Sequence, residues 1–240
     1  MRVVISQSMY FPWAGLLEQI RLADVFIHYD DVQFSKGSFT NRVQVKTPDG
    51  NTTWMTVPLD GAKLGQRIDE TAFLAESEWN GRHLNLLSRS FADAPYGNEA
   101  VDIARRVVSR EYPHIGALAR ESMLALCNFF GLTDTTSFRD STEFAIGGAG
   151  SRRVLDLVKA VGGDTYLTGH GARNYLDHAM FEREGVRVEY IDYQKKPYPQ
   201  LHGPFTPYVT SLDLVACCGP AGKDYLVSEG REWREFLDET

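Results

Sequence analysis

The segment QSMYFPWAGLLEQIRLADVFIHYDDVQFSKGSFTNR, residues 7–42, decides the fold class of this chain. It follows a short apolar run, Val3–Ser6, and contains a second one, Val25–Tyr29, and both runs are typical of strands. A short helix is predicted between them over Gly15–Leu22. Polar residues begin where each strand ends, and ligands bind outside the carboxyl ends of the strands in an open α/β sheet. The segment therefore predicts an α/β fold with a binding site at one edge of its sheet.

The middle of the chain adds a hairpin and a helical region. Residues Arg42–Lys46 and Thr53–Val57 flank a Pro-Asp-Gly turn and predict a small β-hairpin. Residues 76–145 are predicted to be a helical insertion packed on the same core, and the clearest helical periodicity lies in Ile115–Leu132.

The last third of the chain returns to alternating helices and strands. The predicted elements are a helix over Gly150–Val161, a strand over Asp164–Thr168, a helix over His178–Glu184 and a strand over Val186–Ile191. This order favours a mostly parallel sheet with right-handed crossovers. Residues 1–240 are therefore predicted to form a single α/β domain.

Composition excludes several classes of protein. The net charge of -7 argues against a general nucleic-acid surface, which is built from clustered Lys and Arg. The three cysteines show neither a disulfide framework nor a zinc spacing, and the six histidines show no metal-ligand spacing, so no metal site is predicted. No apolar run is long enough for a signal peptide or a membrane span. We therefore expect a cytoplasmic protein without membrane insertion.

The loop after the first strand supplies the first candidate site residues, Gln7, Tyr10 and Trp13, which are predicted to bind substrate. Pro12 and Gly15 shape this loop, which precedes a helix whose N-terminus can hold an anion. The alternative is a structural turn in which Tyr10 and Trp13 belong to the core.

The polar run after the second strand supplies Asp30, Asp31 and Lys36 as candidate catalytic residues and Gln33 as a substrate contact. The aspartates could hold Mg²⁺, bind polar groups of a substrate, or cap a helix. Neighbouring strand residues point to opposite faces, so at most one of the pair is expected to face a given site.

Asn41 and Arg42 complete the candidate substrate contacts of the N-terminal third. An arginine at this place could clamp a carboxylate or phosphate with two parallel hydrogen bonds, whereas the alternative is a solvated surface side chain.

A third polar loop follows the strand over Asp164–Thr168. His170 is predicted to be a general base or acid. The predicted substrate contacts beside it are Gly169, Gly171, Arg173 and Tyr175. A rival hypothesis is a thiol hydrolase that pairs Cys217 or Cys218 with His170 or His202.

These motifs together resemble the WbqC-like family of bacterial proteins. The resemblance rests on Gln-x-x-Tyr-x-Pro-Trp-x-Gly, Ala-Asp-Val-Phe-Ile, Asp-Asp-Val-Gln-Phe, Asn-Arg and Thr-Gly-x-Gly-Ala-x-x-Tyr-Leu, and it covers nearly the whole chain. The matching residues are Gln7, Tyr10, Pro12, Trp13, Gly15, Ala23, Asp24, Asp30, Asp31, Val32, Gln33, Phe34, Lys36, Asn41, Arg42, Gly169, Gly171, Ala172, Tyr175 and Leu176. The family usually opens with His-Gln-Pro-Asn-Tyr, whereas this chain has Ser6-Gln7-Ser8-Met9-Tyr10.

The resemblance implies work in O-antigen or other polysaccharide assembly, and the departure at Ser6–Met9 leaves a natural-product pathway open as an alternative. It implies amide formation by a transferase or ligase that passes an activated acyl or aminoacyl group, such as glycyl, to an amine. The expected ligands are small molecules, namely an amino sugar, an amino acid or a nucleotide, and the use of ATP and Mg²⁺ is left open. A non-catalytic module that binds a sugar nucleotide or amino sugar is the alternative. The fold is also loosely similar to that of nucleotidylyltransferases.

Overall fold

The computed structural model describes residues 1–74 and 78–238, which form eight strands and eight α-helices. The strands are β1 (Arg2–Ser6), β2 (Val25–His28), β3 (Arg42–Lys46), β4 (Thr52–Thr56), β5 (Ser137–Asp140), β6 (Thr165–Thr168), β7 (Arg187–Asp192) and β8 (Glu229–Glu232). The helices are α1 (Ala14–Leu22), α2 (Trp79–Ser90), α3 (Gly97–Val108), α4 (Ile115–Phe129), α5 (Gly150–Ala160), α6 (His178–Arg183), α7 (Ser211–Cys218) and α8 (Trp233–Asp238). None of the helices in these two ranges is long and apolar enough to cross a membrane.

Six strands form one sheet in the order β5-β2-β1-β6-β7-β8, and β3 and β4 form a separate antiparallel hairpin. The first five strands in that order are parallel, and only β8 at the edge runs antiparallel to its neighbour. The predicted α/β class, mostly parallel sheet and small hairpin are therefore confirmed. The looser likeness to nucleotidylyltransferases stays a prediction.

Both faces of the sheet are covered, which explains why β1 and β2 are almost continuously apolar. Val4 and Phe26 belong to a core shared with α1, α3, α4 and α7, whereas Val3 and Val25 belong to a second core shared with α5. Alternate residues of each strand thus point into different cores. Ser6 pairs with His28, so β1 and β2 end at the same level of the sheet.

Two strands of the sheet, the edge strands β5 and β8, were missed by the sequence analysis. β5 lies within the segment predicted as a helical insertion, yet it pairs in parallel with β2. Its sequence, SFRD, contains a single apolar residue because it is an edge strand, so its pattern does not distinguish it from a loop. The helical prediction for this segment matches α2, α3 and α4, while its proposed start at residue 76 lies outside the described residues.

The order of strands creates a topological switch point between β1 and β6. From β1 the chain builds one half of the sheet through β2 and β5, and from β6 it builds the other half through β7 and β8. The loops that follow β1 and β6 therefore diverge to opposite sides. In open α/β sheets the resulting crevice is where ligands bind.

Candidate functional site

A cavity of about 670 Å³ opens at the carboxyl ends of β1, β6 and β7, at the switch point. This volume falls within the range of pockets that hold small organic ligands. Its polar lining consists of Ser6, Gln7, Gln19, Thr168, His170 and Lys195. Its aromatic lining consists of Trp13, Tyr29, Phe39, Tyr166, Tyr175, Tyr193 and Tyr208. No aspartate or glutamate lines it among residues 1–74 and 78–238.

His170 has the best-defined chemistry in this cavity. Its Nε2 lies 2.7 Å from the carbonyl oxygen of Ile191, at the end of β7. A carbonyl can only accept, so Nε2 carries the hydrogen and Nδ1 of the neutral ring carries the lone pair. The ring also packs against Phe236 of α8, with 4.7 Å between ring centroids. These two contacts orient the imidazole, and Nδ1 is the atom available to take a proton.

An aromatic cluster of Trp13, Tyr193 and Tyr208 forms another part of the lining. The ring centroid of Trp13 lies 4.9 Å from that of Tyr193 and 5.6 Å from that of Tyr208, both in edge-on geometry. The indole also lies directly over Gly15, where any added Cβ would overlap it. Trp13 and Gly15 therefore act together: the glycine makes room for the ring at the start of α1.

We expect Gly15→Ala to lower the free energy of unfolding by about 1–3 kcal/mol, because the new methyl group must displace the Trp13 indole. Gly81→Ala in α2 is the matched control, since a Cβ there meets no atom within 4 Å. That variant should gain up to about 1 kcal/mol from helix propensity. Urea unfolding of both variants measures the contrast, and equal changes of the same sign would contradict the packing argument.

The loop between β7 and α7 carries Tyr193, Lys195 and Tyr208 to the cavity and is held by a buried lysine. Lys46 of β3 is 1% exposed and donates to Gln200 Oε1 at 3.1 Å and to the carbonyl oxygen of Pro204 at 2.6 Å. The hairpin thus supports the outer wall of the cavity without lining it.

Glu18 lies in the core next to the cavity wall. It is 1% exposed, and its Oε2 accepts the backbone N–H of Ser228 at 2.7 Å. Burial raises the pKa of this carboxyl from 4.5 to about 7, against the opposing effect of the Ser228 hydrogen bond and of Arg21. The folded protein therefore holds a proton on Glu18 at a pH where the unfolded chain has lost it.

Glu18→Gln should remove a pH dependence of stability. The contribution of Glu18 is fully present below pH 4.5 and is lost as the pH rises through about 7, which amounts to at most about 3 kcal/mol. The glutamine keeps an oxygen for the Ser228 N–H but cannot ionise. In urea unfolding, the free energy of unfolding of the variant should therefore increase relative to that of the wild type between pH 5 and pH 8. Parallel pH profiles would contradict the assignment.

Six of the predicted site residues do meet at the cavity. They are Gln7, Trp13, Gly169, His170, Gly171 and Tyr175. They come from the loops after β1 and β6, which is where the switch point places them. Their functions as catalytic or substrate-binding residues remain predictions.

Asp30 turns away from the cavity into a buried network. Its Oδ1 accepts the Ser8 N–H at 2.8 Å, and its Oδ2 accepts from Ser8 Oγ at 2.7 Å and from Arg120 Nη2 at 3.1 Å. Burial raises the pKa of Asp30, while these hydrogen bonds and the Arg120 charge oppose the rise. The geometry gives Asp30 the task of anchoring the loop after β1, not that of a cavity residue.

Ser8, His28 and Asp30 have the residue types of a hydrolase triad without its arrangement. Ser8 Oγ lies 2.9 Å from His28 Nδ1, but its hydrogen goes to Asp30, so His28 Nδ1–H must donate to the hydroxyl. Burial lowers the pKa of His28 to about 3, which keeps the ring neutral. All three side chains are buried, and His28 cannot take the hydroxyl proton because its Nδ1 already carries a hydrogen.

Asp31 is also engaged by the protein. It forms an ion pair with Arg153, and its Oδ1 accepts from Ser141 Oγ at 2.7 Å. The Arg153 guanidinium in turn lies over the Tyr29 ring, 4.8 Å from its centroid. Asp31 thus supports a ring of the cavity lining from behind. No cluster of three or more His, Cys, Asp or Glu side chains suited to a metal occurs within the described ranges.

The remaining N-terminal candidates lie outside the cavity lining. Tyr10 is fully buried, and its hydroxyl bonds to His83 Nδ1 at 3.0 Å, so it belongs to the core as the structural alternative had it. Asn41 is buried and donates to the carbonyl oxygen of Val57 at 2.9 Å. Arg42 packs over Trp54 and donates to the carbonyl oxygen of Gly37 at 2.7 Å.

Gln33, Lys36 and Arg173 are exposed side chains that do not line the cavity. Gln33 forms a backbone bridge with Arg67, away from the switch point. Lys36 does not line the cavity that contains His170, so its predicted catalytic role has no geometric support.

The environment of the cysteines is unfavourable for the rival hypothesis of a thiol hydrolase. All three cysteines are buried. Burial raises the pKa of Cys217 to about 12 and that of Cys218 to about 11. At neutral pH neither forms the thiolate that a cysteine nucleophile requires.

The sequence analysis missed Tyr193 and Lys195, which line the cavity directly after β7. The signal was present: the run Asp192–Lys196 is polar and follows the predicted strand Val186–Ile191. Applying the rule about carboxyl strand ends to this fourth strand would have found both residues. Tyr208 comes from a distant loop and has no such local signal.

The family of this chain follows from its similarity to known sequences. Residues 7–225 match the WbqC-like protein family. The chain belongs to the WbqC-like family. A WbqC-like relative from Mycobacterium tuberculosis (strain ATCC 25618 / H37Rv), "Uncharacterized protein Rv1507c", is 31% identical over 228 residues, covering 94% of this chain and 97% of the relative. No solved structure matches the chain significantly.

The departure from the usual WbqC-like opening motif falls in the cavity itself. Ser6, which stands where the family usually has histidine, lines the cavity and donates through Oγ to the carbonyl oxygen of Gln7 at 3.2 Å. Ser8 stands where proline is usual, and its N–H, which proline lacks, binds Asp30.

Proposed function

We propose that this WbqC-like protein is an enzyme that forms an amide by passing an activated acyl or aminoacyl group to the amine of an amino sugar or small metabolite. The observation that carries the proposal is the oriented His170 in the cavity at the switch point. A histidine held through Nε2 and lining a ligand-sized cavity is suited to general base catalysis through Nδ1.

The chemistry assigned to His170 is a single proton transfer. The neutral amine attacks the activated carbonyl carbon, the new C–N bond forms, and the bond from carbon to the leaving group breaks with its electron pair. Nδ1 takes the proton that the amine loses. Gln7 and Thr168, which line the cavity beside His170, offer hydrogen bonds that would orient the two reactants.

Participation of ATP and Mg²⁺ is a separate part of the proposal. Asp30 and Asp31 pair with Arg120 and Arg153, and no described aspartate or glutamate lines the cavity, so the lining does not fit a protein-held Mg²⁺ ion. A nucleotide could bring Mg²⁺ on its own phosphate oxygens.

The second candidate function is a binding module for a sugar nucleotide or amino sugar. The seven aromatic rings of the lining favour it, since flat rings suit both sugar faces and bases. A binding module needs no general base, whereas the proposed enzyme does. The effect of replacing His170 therefore distinguishes the two candidate functions.

The first experiment is a thermal-shift screen of the full-length chain with ATP, UDP-sugars and amino acids, each with and without Mg²⁺. A ligand at 100 times its Kd stabilises the fold by about 2.7 kcal/mol. Ligands that shift the transition are then mixed in pairs and analysed by mass spectrometry for an amide product. Amide formation supports the enzyme, whereas saturable binding with no product in any pair supports the binding module and contradicts the enzyme.

A further inference from the structure

Among the described residues, the lysine that follows β7 has no anionic and no hydrogen-bonding partner. Lys195 lines the cavity, and within residues 1–74 and 78–238 it makes neither an ion pair nor a hydrogen bond. Its ammonium lies 5.6 Å from the centroid of the Tyr208 ring. Its φ of +50° is in the left-handed region, which is uncommon for a residue other than glycine. The next residue, Lys196, by contrast donates to the carbonyl oxygen of Asp224 at 2.9 Å.

A second donor without an acceptor lies beside the same tyrosine. The Nε1–H of Trp13 is buried and has no hydrogen-bond partner in the described part of the chain, although the indole lines the cavity. Trp13 and Lys195 both contact the Tyr208 ring and therefore lie near one another.

The charge of the lining points in the same direction. Lys195 and His170 are its ionisable basic side chains, and no aspartate or glutamate lines it among the described residues. A cationic ligand would find no counter-charge there, whereas an anion would find Lys195. The Trp13, Tyr193 and Tyr208 rings next to the two donors offer faces and edges to a flat ring.

From these observations we propose that the cavity binds a nucleoside phosphate, with its phosphate at Lys195 and its base or ribose among the aromatic cluster of Trp13, Tyr193 and Tyr208. The inference rests on the proposed function only in that it uses the same cavity. It names the substrate class as a nucleotide or a nucleotide-activated compound, and it assigns Lys195 to substrate binding.

The test is a calorimetric titration of the full-length chain with UDP, ADP, uridine and adenosine. Inorganic phosphate and glycine serve as probes for anions that lack a base. We expect each diphosphate to bind at least about tenfold more tightly than its nucleoside, because the anion forms charge-assisted hydrogen bonds. The Kd of the diphosphates should also rise with salt concentration. Nucleosides that bind as tightly as their diphosphates, glycine as the sole ligand, or no saturable binding would each overturn the proposal.

Two neighbouring lysines give a matched pair of variants. Lys195→Met should weaken binding of UDP and ADP about tenfold and leave the Kd of the nucleosides unchanged, and Lys195→Arg should restore most of the loss. Lys196→Met removes the same charge one residue away, outside the lining. It should change neither the Kd of the diphosphates nor that of the nucleosides. Equal effects of the two methionine variants would refute a specific phosphate contact.

The result of the nucleotide titration can be distinguished from the result of the amide-formation assay. Nucleotide binding that persists in every mixture without amide formation would leave this inference standing while the enzyme proposal fails. Amide formation from donors without phosphate, together with no nucleotide binding, would support the enzyme proposal and contradict this inference.

Discussion

Replacing His170 with glutamine is expected to lower kcat for amide formation by roughly 10²–10⁴-fold while the fold and ligand binding are retained. The glutamine side-chain N–H can still donate to the Ile191 carbonyl, which His170 Nε2 reaches at 2.7 Å. What it cannot replace is the basic Nδ1 lone pair. The measurement is the single-turnover rate with the ligand pair that gives product, together with Kd by calorimetry.

His202→Gln is the matched control for this variant. His202 also donates through Nε2 to a backbone carbonyl, that of Ser90, at 2.7 Å, but it does not line the cavity. Its substitution should leave the rate within about twofold of the wild type, because His202 does not line the cavity and so contributes nothing to the reaction barrier. Equal rates for the His170 variant and the wild type would remove His170 from the mechanism.

Asp30→Ala is expected to lower the free energy of unfolding by about 2–4 kcal/mol, because it leaves the buried Ser8 N–H and hydroxyl without their acceptor. The Ser8 N–H and the Ser8 hydroxyl lose their partner in the core, and Arg120, which keeps its ion pair with Asp140 at 2.6 Å, loses one of its two carboxylates. The loop after β1 should loosen as a result, so ligand binding at the cavity should weaken together with stability. Urea unfolding and calorimetry measure the two effects.

Asp24→Ala provides the comparison, because Asp24 precedes the same strand but is exposed and accepts only the backbone N–H of Arg2, at 2.6 Å. That variant should lose no more than about 1 kcal/mol. A loss for Asp30→Ala as small as for Asp24→Ala would show that the buried network contributes little.

Much of the fold could be predicted because its signals are local. The apolar runs of β1 and β2 reflect burial on both faces, and the helix between them appears within two residues of its predicted start. β5 was not predicted, because an edge strand of four residues with one apolar side chain carries no such signal. The site edge was predictable for a similar reason: polar residues that follow parallel strands must collect at one edge.

Which polar residues face the ligand could not be predicted. Asp30 and Asp31 follow β2 as favourably as Gln7 follows β1, but Arg120 and Arg153 engage them across 90 and 122 positions of sequence. Conversely, Tyr208 reaches Trp13 only because its loop folds back over the sheet.

By itself, then, the sequence determined the α/β class, the family and the edge of the sheet at which ligands are expected, since periodicity and strand ends depend on neighbouring residues. The tertiary structure alone decided that His170, Trp13 and Lys195 share a cavity while Asp30 and Asp31 support it from behind. The physical reason is the cost of burying charge: each carboxylate is stabilised by whichever arginine the fold brings to it, and no local pattern reveals that arginine.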